Sequence, residues 1–290
     1  MANPEFNYEQ AFSRNIGWVT PGELLQLRGK RVAIAGLGGV GGSHLLTLAR
    51  LGVGNFNIAD FDVFNLVNFN RQAGANMDTI GRRKTEVLSE MVRAVNPGIS
   101  LKVFDQGITE QNMDGFLEEV DLYIDGLDFF AFKARSAVFA SCAEKGIPAI
   151  TAAPLGMGAA VLTFLPRGMT FEEYFRWEGC SEDEMALRFV LGLSPRLLQR
   201  KYLVDPGALD LKARKGPSTP MACDICAGMA ATEALKVLLQ RGRLLAAPHG
   251  LQFDPYKNKL VHTWRPWGNR NPIQRLMIGI ASRQFSRMQS

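Results

Sequence analysis

The residues best suited to chemistry cluster in the first half of the chain. A glycine run, Gly36-Leu37-Gly38-Gly39-Val40-Gly41-Gly42, follows the apolar run 31–35 and leads into a segment of helical spacing at 43–51. Glycine lets a backbone turn sharply and approach a phosphate closely. A helix start adds unpaired N–H groups and partial positive charge. Asp60 ends the next apolar run, 56–59, where a carboxylate can accept hydrogen bonds from both ribose hydroxyls. Run, glycines, helix and acid together point to a nucleotide, and NAD, FAD and ATP all fit.

The stretch beyond Asp60 separates these ligands. It reads Asp60-Phe61-Asp62-Val63-Phe64-Asn65-Leu66-Val67-Asn68-Phe69-Asn70-Arg71-Gln72, polar where a dehydrogenase would turn into its next helix. Lys84 lies at the start of the helical segment 82–95. Arg71 offers a planar fork and Lys84 a point charge to a triphosphate. Asp128 follows the apolar run 120–124, at the sheet edge where open α/β folds bind ligands, and a lone carboxylate beside phosphates suits magnesium. Each residue has a plainer alternative. Asp62 and Asn65 can cap turns, Arg71 and Lys84 can be solvated cations, and Asp128 can cap the helical segment 132–144.

Positioning these groups requires strands that alternate with helices. The apolar runs 31–35, 56–59, 101–104, 120–124 and 148–152 read as strands, separated by the helical segments 43–51, 82–95 and 132–144. That rhythm predicts an α/β fold, a Rossmann-like sheet of parallel strands flanked by helices. It is expected to continue into a mixed or antiparallel C-terminal part: a strand at 159–165, helices near 182–191 and 195–201, an apolar helix at 227–240, and a hairpin from 251–253 and 260–264. The chain thus divides into a helical lead-in at 1–30, a nucleotide-binding part at 31–165, a crossover or substrate region at 166–220, and a C-terminal helix, hairpin and basic tail at 221–290.

Together, GxGGxG at Gly36–Gly41, the pair Asp60 and Asp62, the string Asn68–Gln72, Lys84 and Asp128 resemble the ThiF/MoeB family, which shares its fold with ubiquitin-activating enzymes. The resemblance covers roughly 12–150 and resumes at 227–240. It implies a homodimeric adenylyltransferase using ATP and Mg2+. In that resemblance Asp60 holds the ribose, and Gly36, Gly38, Gly39 and Gly41 form the phosphate turn. Asp62, Asn68, Gln72, Arg71 and Lys84 surround the nucleotide, Asp128 binds magnesium, and Arg14 reaches in from the partner protomer. The implied reaction is attack of a substrate carboxylate on the α-phosphorus with pyrophosphate leaving, driven by in-line positioning and charge neutralisation. The carboxylate can be the C-terminal glycine of a ubiquitin-like sulfur carrier, a peptide C-terminus or a group on modified tRNA. An NAD(P)- or FAD-dependent oxidoreductase stays open, although it gives Asn68–Gln72, Lys84 and Asp128 no role. So does a non-catalytic nucleotide-binding module.

Two CxxC pairs hold zinc in many members of that family; this chain has one, Cys223-Asp224-Ile225-Cys226. One pair supplies two of the four ligands of a closed site, so buried thiols are expected rather than zinc. The pair is expected just ahead of the helix 227–240. Some members of that family place a thioester- or persulfide-forming cysteine in the crossover region, and the resemblance makes Cys180 a candidate, opposed by the acids around it: Glu178, Glu182, Asp183 and Glu184.

Bulk properties set outer limits. With 290 residues, 47% hydrophobic and 21% charged, the chain is an ordinary globular sequence. The net charge of +5 suits an anionic ligand and permits tRNA or an acidic partner. No signal sequence or membrane-crossing run is visible, and four cysteines do not make a disulfide framework, so the cytoplasm is the expected compartment. The basic excess sits at the C-terminus: Arg265, Arg270, Arg275, Arg283 and Arg287 follow Asp254 with no further acid. The stretch 272–288 reads as a basic amphipathic helix.

Overall fold

The computed structural model describes residues 5–208 and 216–289. The first four residues of the lead-in, 209–215 of the crossover region and the Arg287 side chain lie outside the described residues. Two lead-in helices, α1 (Tyr8–Ala11) and α2 (Pro21–Gly29), precede β1 (Arg31–Ala35), α3 (Gly39–Leu51), β2 (Asn55–Ala59), α4 (Lys84–Val95) and β3 (Ser100–Phe104). Then come α5 (Met113–Phe116), β4 (Leu122–Asp125), α6 (Phe132–Lys145), β5 (Ala149–Leu155) and β6 (Gly158–Phe164). The crossover region contributes α7 (Phe171–Phe175) and α8 (Glu182–Leu193). Beyond it lie α9 (Pro220–Leu238), β7 (His249–Asp254), β8 (Lys259–Trp264) and α10 (Pro272–Gln289).

All eight strands form one sheet in the order β3-β2-β1-β4-β5-β6-β7-β8. The first five are parallel and the rest antiparallel, in line with the mixed or antiparallel C-terminal part expected from the sequence. The central parallel strands are apolar on both faces because helices cover both. In β1, Val32 and Ile34 join one buried cluster with Leu45, Leu48 and Phe56, while Ala33 and Ala35 join the other with Tyr123 and Phe139. The parallel order 3-2-1-4-5 reverses direction at β1 and β4. Their carboxyl ends therefore flank a crevice, the place where such sheets bind ligands.

Two expectations need correction. The apolar helix starts at Pro220, not at 227. Proline suits a first helical turn, where its missing N–H has no partner to lose, so Cys223 and Cys226 lie inside α9 rather than ahead of it. The segment 195–201 is not an α-helix; a short 3-10 turn, Leu198–Tyr202, occupies part of it. Among the described residues no helix is long and apolar enough to cross a membrane.

Candidate nucleotide site

The turn between β1 and α3 requires its glycines. Gly36 has φ +81°, and a Cβ there would overlap the carbonyl of Gly126. A Cβ on Gly41 or Gly126 would overlap the carbonyl oxygen of Gly36. Three glycines thus let the turn lie directly on the carboxyl end of β4. α3 begins at Gly39 with no side chain capping it, so its first N–H groups face the crevice.

Asp60 ends β2 and fastens it to this turn. Its Oδ2 accepts the Leu37 N–H at 2.6 Å and its Oδ1 the Asp62 N–H at 2.7 Å. Burial pushes the Asp60 carboxyl above its ordinary value, against the opposing pull of Lys84 and the two N–H bonds. Lys84 is buried, with Nζ 2.9 Å from Asp62 Oδ2, so it is no solvated surface cation. The aliphatic stem of Arg71 crosses Gly39, where an added Cβ would come within 3.3 Å of Arg71 Cγ. The Arg71 guanidinium donates to Asn70 Oδ1 at 2.8 Å and Val67 O at 3.2 Å. Asn68 Oδ1 accepts the Asn65 N–H at 2.9 Å across the turn they share. Gln72 is buried, with Nε2 3.7 Å from a Cβ placed on Gly38; its Oε1 has no partner among the described residues.

Asp128 is exposed beyond β4. It does not cap α6, whose N-cap is Ala131; its Oδ2 instead accepts the Phe130 N–H at 3.0 Å. The support of this loop has no local signature in the sequence. Arg135 of α6 is almost fully buried and pairs with Asp125 Oδ2 at 2.7 Å. It also donates to the carbonyls of Leu127, Asp128 and Phe129 at 2.8, 3.0 and 3.1 Å. Thr151 of β5 donates to the same Asp125 oxygen at 2.8 Å. The only sequence signal was an acid at the end of an apolar run, with an arginine one helix start away.

The ends of the crossover region fasten beside this crevice. The Tyr202 hydroxyl donates to Asp254 Oδ2 at 2.9 Å and accepts the Met157 N–H at 3.0 Å. Thr219 Oγ1 donates to Gly156 O at 3.1 Å, and Asn70 Nδ2 to Ser218 O at 3.0 Å. Arg14 lies elsewhere. Its turn, Ser13–Asn15, is held by Asn15 donating to Arg50 O and Leu51 O at the far end of α3. The 13 residues of α3 span roughly 20 Å, so Arg14 is remote from its own glycine turn.

The thiols divide by environment. Cys223 and Cys226 are buried on α9, and burial raises both thiols. Cys223 Sγ packs on the glycine turn, 3.1 Å from a Cβ added at Gly39. Cys180 is half-buried and donates to Arg176 O at 3.4 Å. Among the described residues no group of three or more His, Cys, Asp or Glu side chains is placed to hold a metal ion.

The ThiF family model matches residues 12–275. The chain is 36% identical over 146 residues to a tRNA threonylcarbamoyladenosine dehydratase of Haemophilus influenzae, covering 50% of this chain and 55% of that protein. It is 32% identical over 141 residues to the sulfur carrier protein ThiS adenylyltransferase of Escherichia coli, covering 49% and 55%. It therefore spans about half the length of both relatives. In fold it is similar to the E. coli MccB crystal structure with ATP, with a TM-score of 0.65 and 19% identity over 90% of this chain and 72% of that one.

Proposed function

The chain belongs to the ThiF family, and from that premise we propose that it uses ATP and magnesium to activate a substrate carboxylate as an acyl-adenylate, releasing pyrophosphate. The observation that carries this reading is the meeting of Asp60, Lys84, Arg71 and the open start of α3 around one glycine turn, with Asp128 across the crevice at the end of β4.

The side chains fit such a ligand. Asp60 spends one acceptor site of each oxygen on backbone N–H groups and keeps others for ribose hydroxyls, since a carboxylate has about four such sites. The start of α3 takes phosphate oxygens through N–H groups and its positive dipole end. Lys84 and Arg71 lie where they can offset the charge that builds on departing pyrophosphate. Asp128 fits magnesium, which takes one or two carboxylates and completes its shell with phosphate oxygens and water. Among the described residues only one of its oxygens is engaged, by Phe130. Bound magnesium would supply further neutralisation of phosphate charge. The carboxylate attacks phosphorus directly, so Cys180 has no part in this step.

Arg14 enters only from a second copy, and the reading includes a homodimer. Phe61, Leu66, Val67 and Met77 are exposed beside the site, as residues awaiting a subunit contact are. The acceptor is a carboxylate on a sulfur-carrier-like protein, a peptide or a modified tRNA.

Thermal unfolding tests the nucleotide. ATP with magnesium at about 100 times its Kd stabilises by about 2.7 kcal/mol, whereas NAD leaves the midpoint unchanged. Stabilisation by NAD or NADP and not by ATP overturns the assignment. Pyrophosphate exchange with carboxylates of each class then identifies the substrate.

A further inference from the structure

The helix α10 carries two faces of different kinds. Its inner face is anchored: Gln274 is buried and its Nε2 donates to Leu191 O of α8 at 2.6 Å. Its outer side holds three aliphatic residues in one stripe, Ile273, Leu276 and Ile280, with exposures of 64%, 65% and 49%. These spacings of three and four place them one above another on a helix. Arg275 and Arg283 are exposed beside the stripe. Trp267, 65% exposed, lies in the turn that leads into the helix, with Arg270 between them. No acid follows Asp254 in the sequence.

We propose that α10 and the Trp267 turn dock the protein on an anionic lipid surface, with the helix lying in the plane of the headgroups. An exposed aliphatic stripe, a cationic border and an interfacial tryptophan are the three features that hold a helix at such a surface. Each answers a different part of it: acyl chains, phosphate charge and the headgroup boundary. Nucleic acid would use the arginines and leave the stripe in water. The anchoring of the inner face through Gln274 keeps the stripe outward without unfolding the body. This inference stands independently of the adenylation chemistry.

Flotation of the full chain with lipid vesicles tests it. Binding is expected to vesicles that contain phosphatidylglycerol and not to pure phosphatidylcholine, with release at high salt. Ile273→Ser with Leu276→Ser and Ile280→Ser, and separately Arg270→Glu with Arg275→Glu, should each lower the bound fraction at least about tenfold. All five side chains are exposed, so the thermal midpoint should hold. The wild-type salt and lipid dependence tests the idea even where a variant folds poorly. No flotation, equal binding to neutral vesicles, or full binding by both variants overturns it. So does a change of oligomeric state on loss of the stripe, measured by light scattering, which would make the stripe a contact between copies. Binding of tRNA or polyglutamate through the same arginines, with vesicles ignored, also overturns it.

Discussion

The two faces of the sheet are packed with different materials. Under α3, α4 and α9 the core is aliphatic, made of Leu45, Leu48, Val87, Leu88 and their neighbours, and the glycine turn comes within touch of Cys223 on α9. Under α6, α7 and α8 it is aromatic: Phe139 stacks on Phe171 at 4.3 Å, and Trp177 meets Phe132, Phe171 and Phe189 edge-on. Small side chains let a helix start approach a strand end closely, as a phosphate site requires. Large rings bury much area each and hold a crossover region that has little regular structure of its own. The first face is thus organised around access and the second around support. Arg135 ties the aromatic face to the edge of the site, bonded to Asp125 and the Asp128 loop and lying 4.7 Å over the Phe189 ring.

Removing that joint should produce the largest effect. Arg135→Ala leaves Asp125 buried without its cation and three carbonyls without their donor. A broken buried pair of this kind costs about 3–5 kcal/mol. Urea unfolding should show that loss, and the surviving folded protein should respond less to ATP with magnesium because the Asp128 loop has lost its frame. A stability loss below about 1 kcal/mol would mean that the loop stands without it.

On the aliphatic face, His44 of α3 is fully buried and neither ring nitrogen has a partner among the described residues. Burial pushes its pKa down to about 4. The unfolded chain, with an ordinary imidazole, therefore takes up the proton first as pH falls. Stability is full above the ordinary imidazole range and drains away from about pH 6.5 towards 4, by roughly 3 kcal/mol in all. The raised carboxyl of Asp60 works with the opposite sign at the acid end, since there the folded state holds the extra proton. His44→Leu should be neutral or stabilising at pH 7 and should flatten the midpoint between pH 6.5 and 5. An unchanged slope would place the acid sensitivity elsewhere.

A paired measurement separates access from support. Asp128→Ala alters an exposed carboxylate, so the unliganded midpoint should hold while the stabilisation by ATP and magnesium, about 2.7 kcal/mol at 100 times Kd, largely disappears. Phe175→Leu should do the reverse, losing about 1 kcal/mol in the ring cluster and keeping the full nucleotide response. If both variants lose the response, the two faces are not separable in function.

What was legible in the sequence follows the same division. β1 runs over Arg31–Ala35 as its apolar run predicts, the glycine turn, Asp60 and Lys84 fall at strand or helix ends, and Asp128 falls in the loop after β4, because short-range patterns fix those elements. The supports were not legible. Arg135 sits in the first turn of its segment and reads like any solvated helix cation, and only folding brings it to Asp125 and Phe189. Tyr202 meets Asp254 across 52 residues, a contact with no local signature. The start of α9 is not marked by the apolar run 227–240 alone; Pro220 at the first turn and the small residues after it extend the helix back over Cys223 and Cys226.

The smallest effect is expected at Cys180. Its sulfur already donates to Arg176 O, a bond that a serine hydroxyl can replace. Burial raises the thiol, and Glu184 and Glu172 raise it further, with Arg188 alone opposing them. Little thiolate therefore forms at neutral pH, and the thiolate is the nucleophile. Cys180→Ser should change stability by less than about 0.5 kcal/mol and leave the nucleotide response intact. Iodoacetamide should alkylate wild-type Cys180 more slowly than free cysteine. Faster alkylation, above all in the presence of ATP, would mean that the crossover region brings a cation to this thiol when nucleotide binds. The support face would then carry chemistry of its own, and the contrast between the two faces would fail.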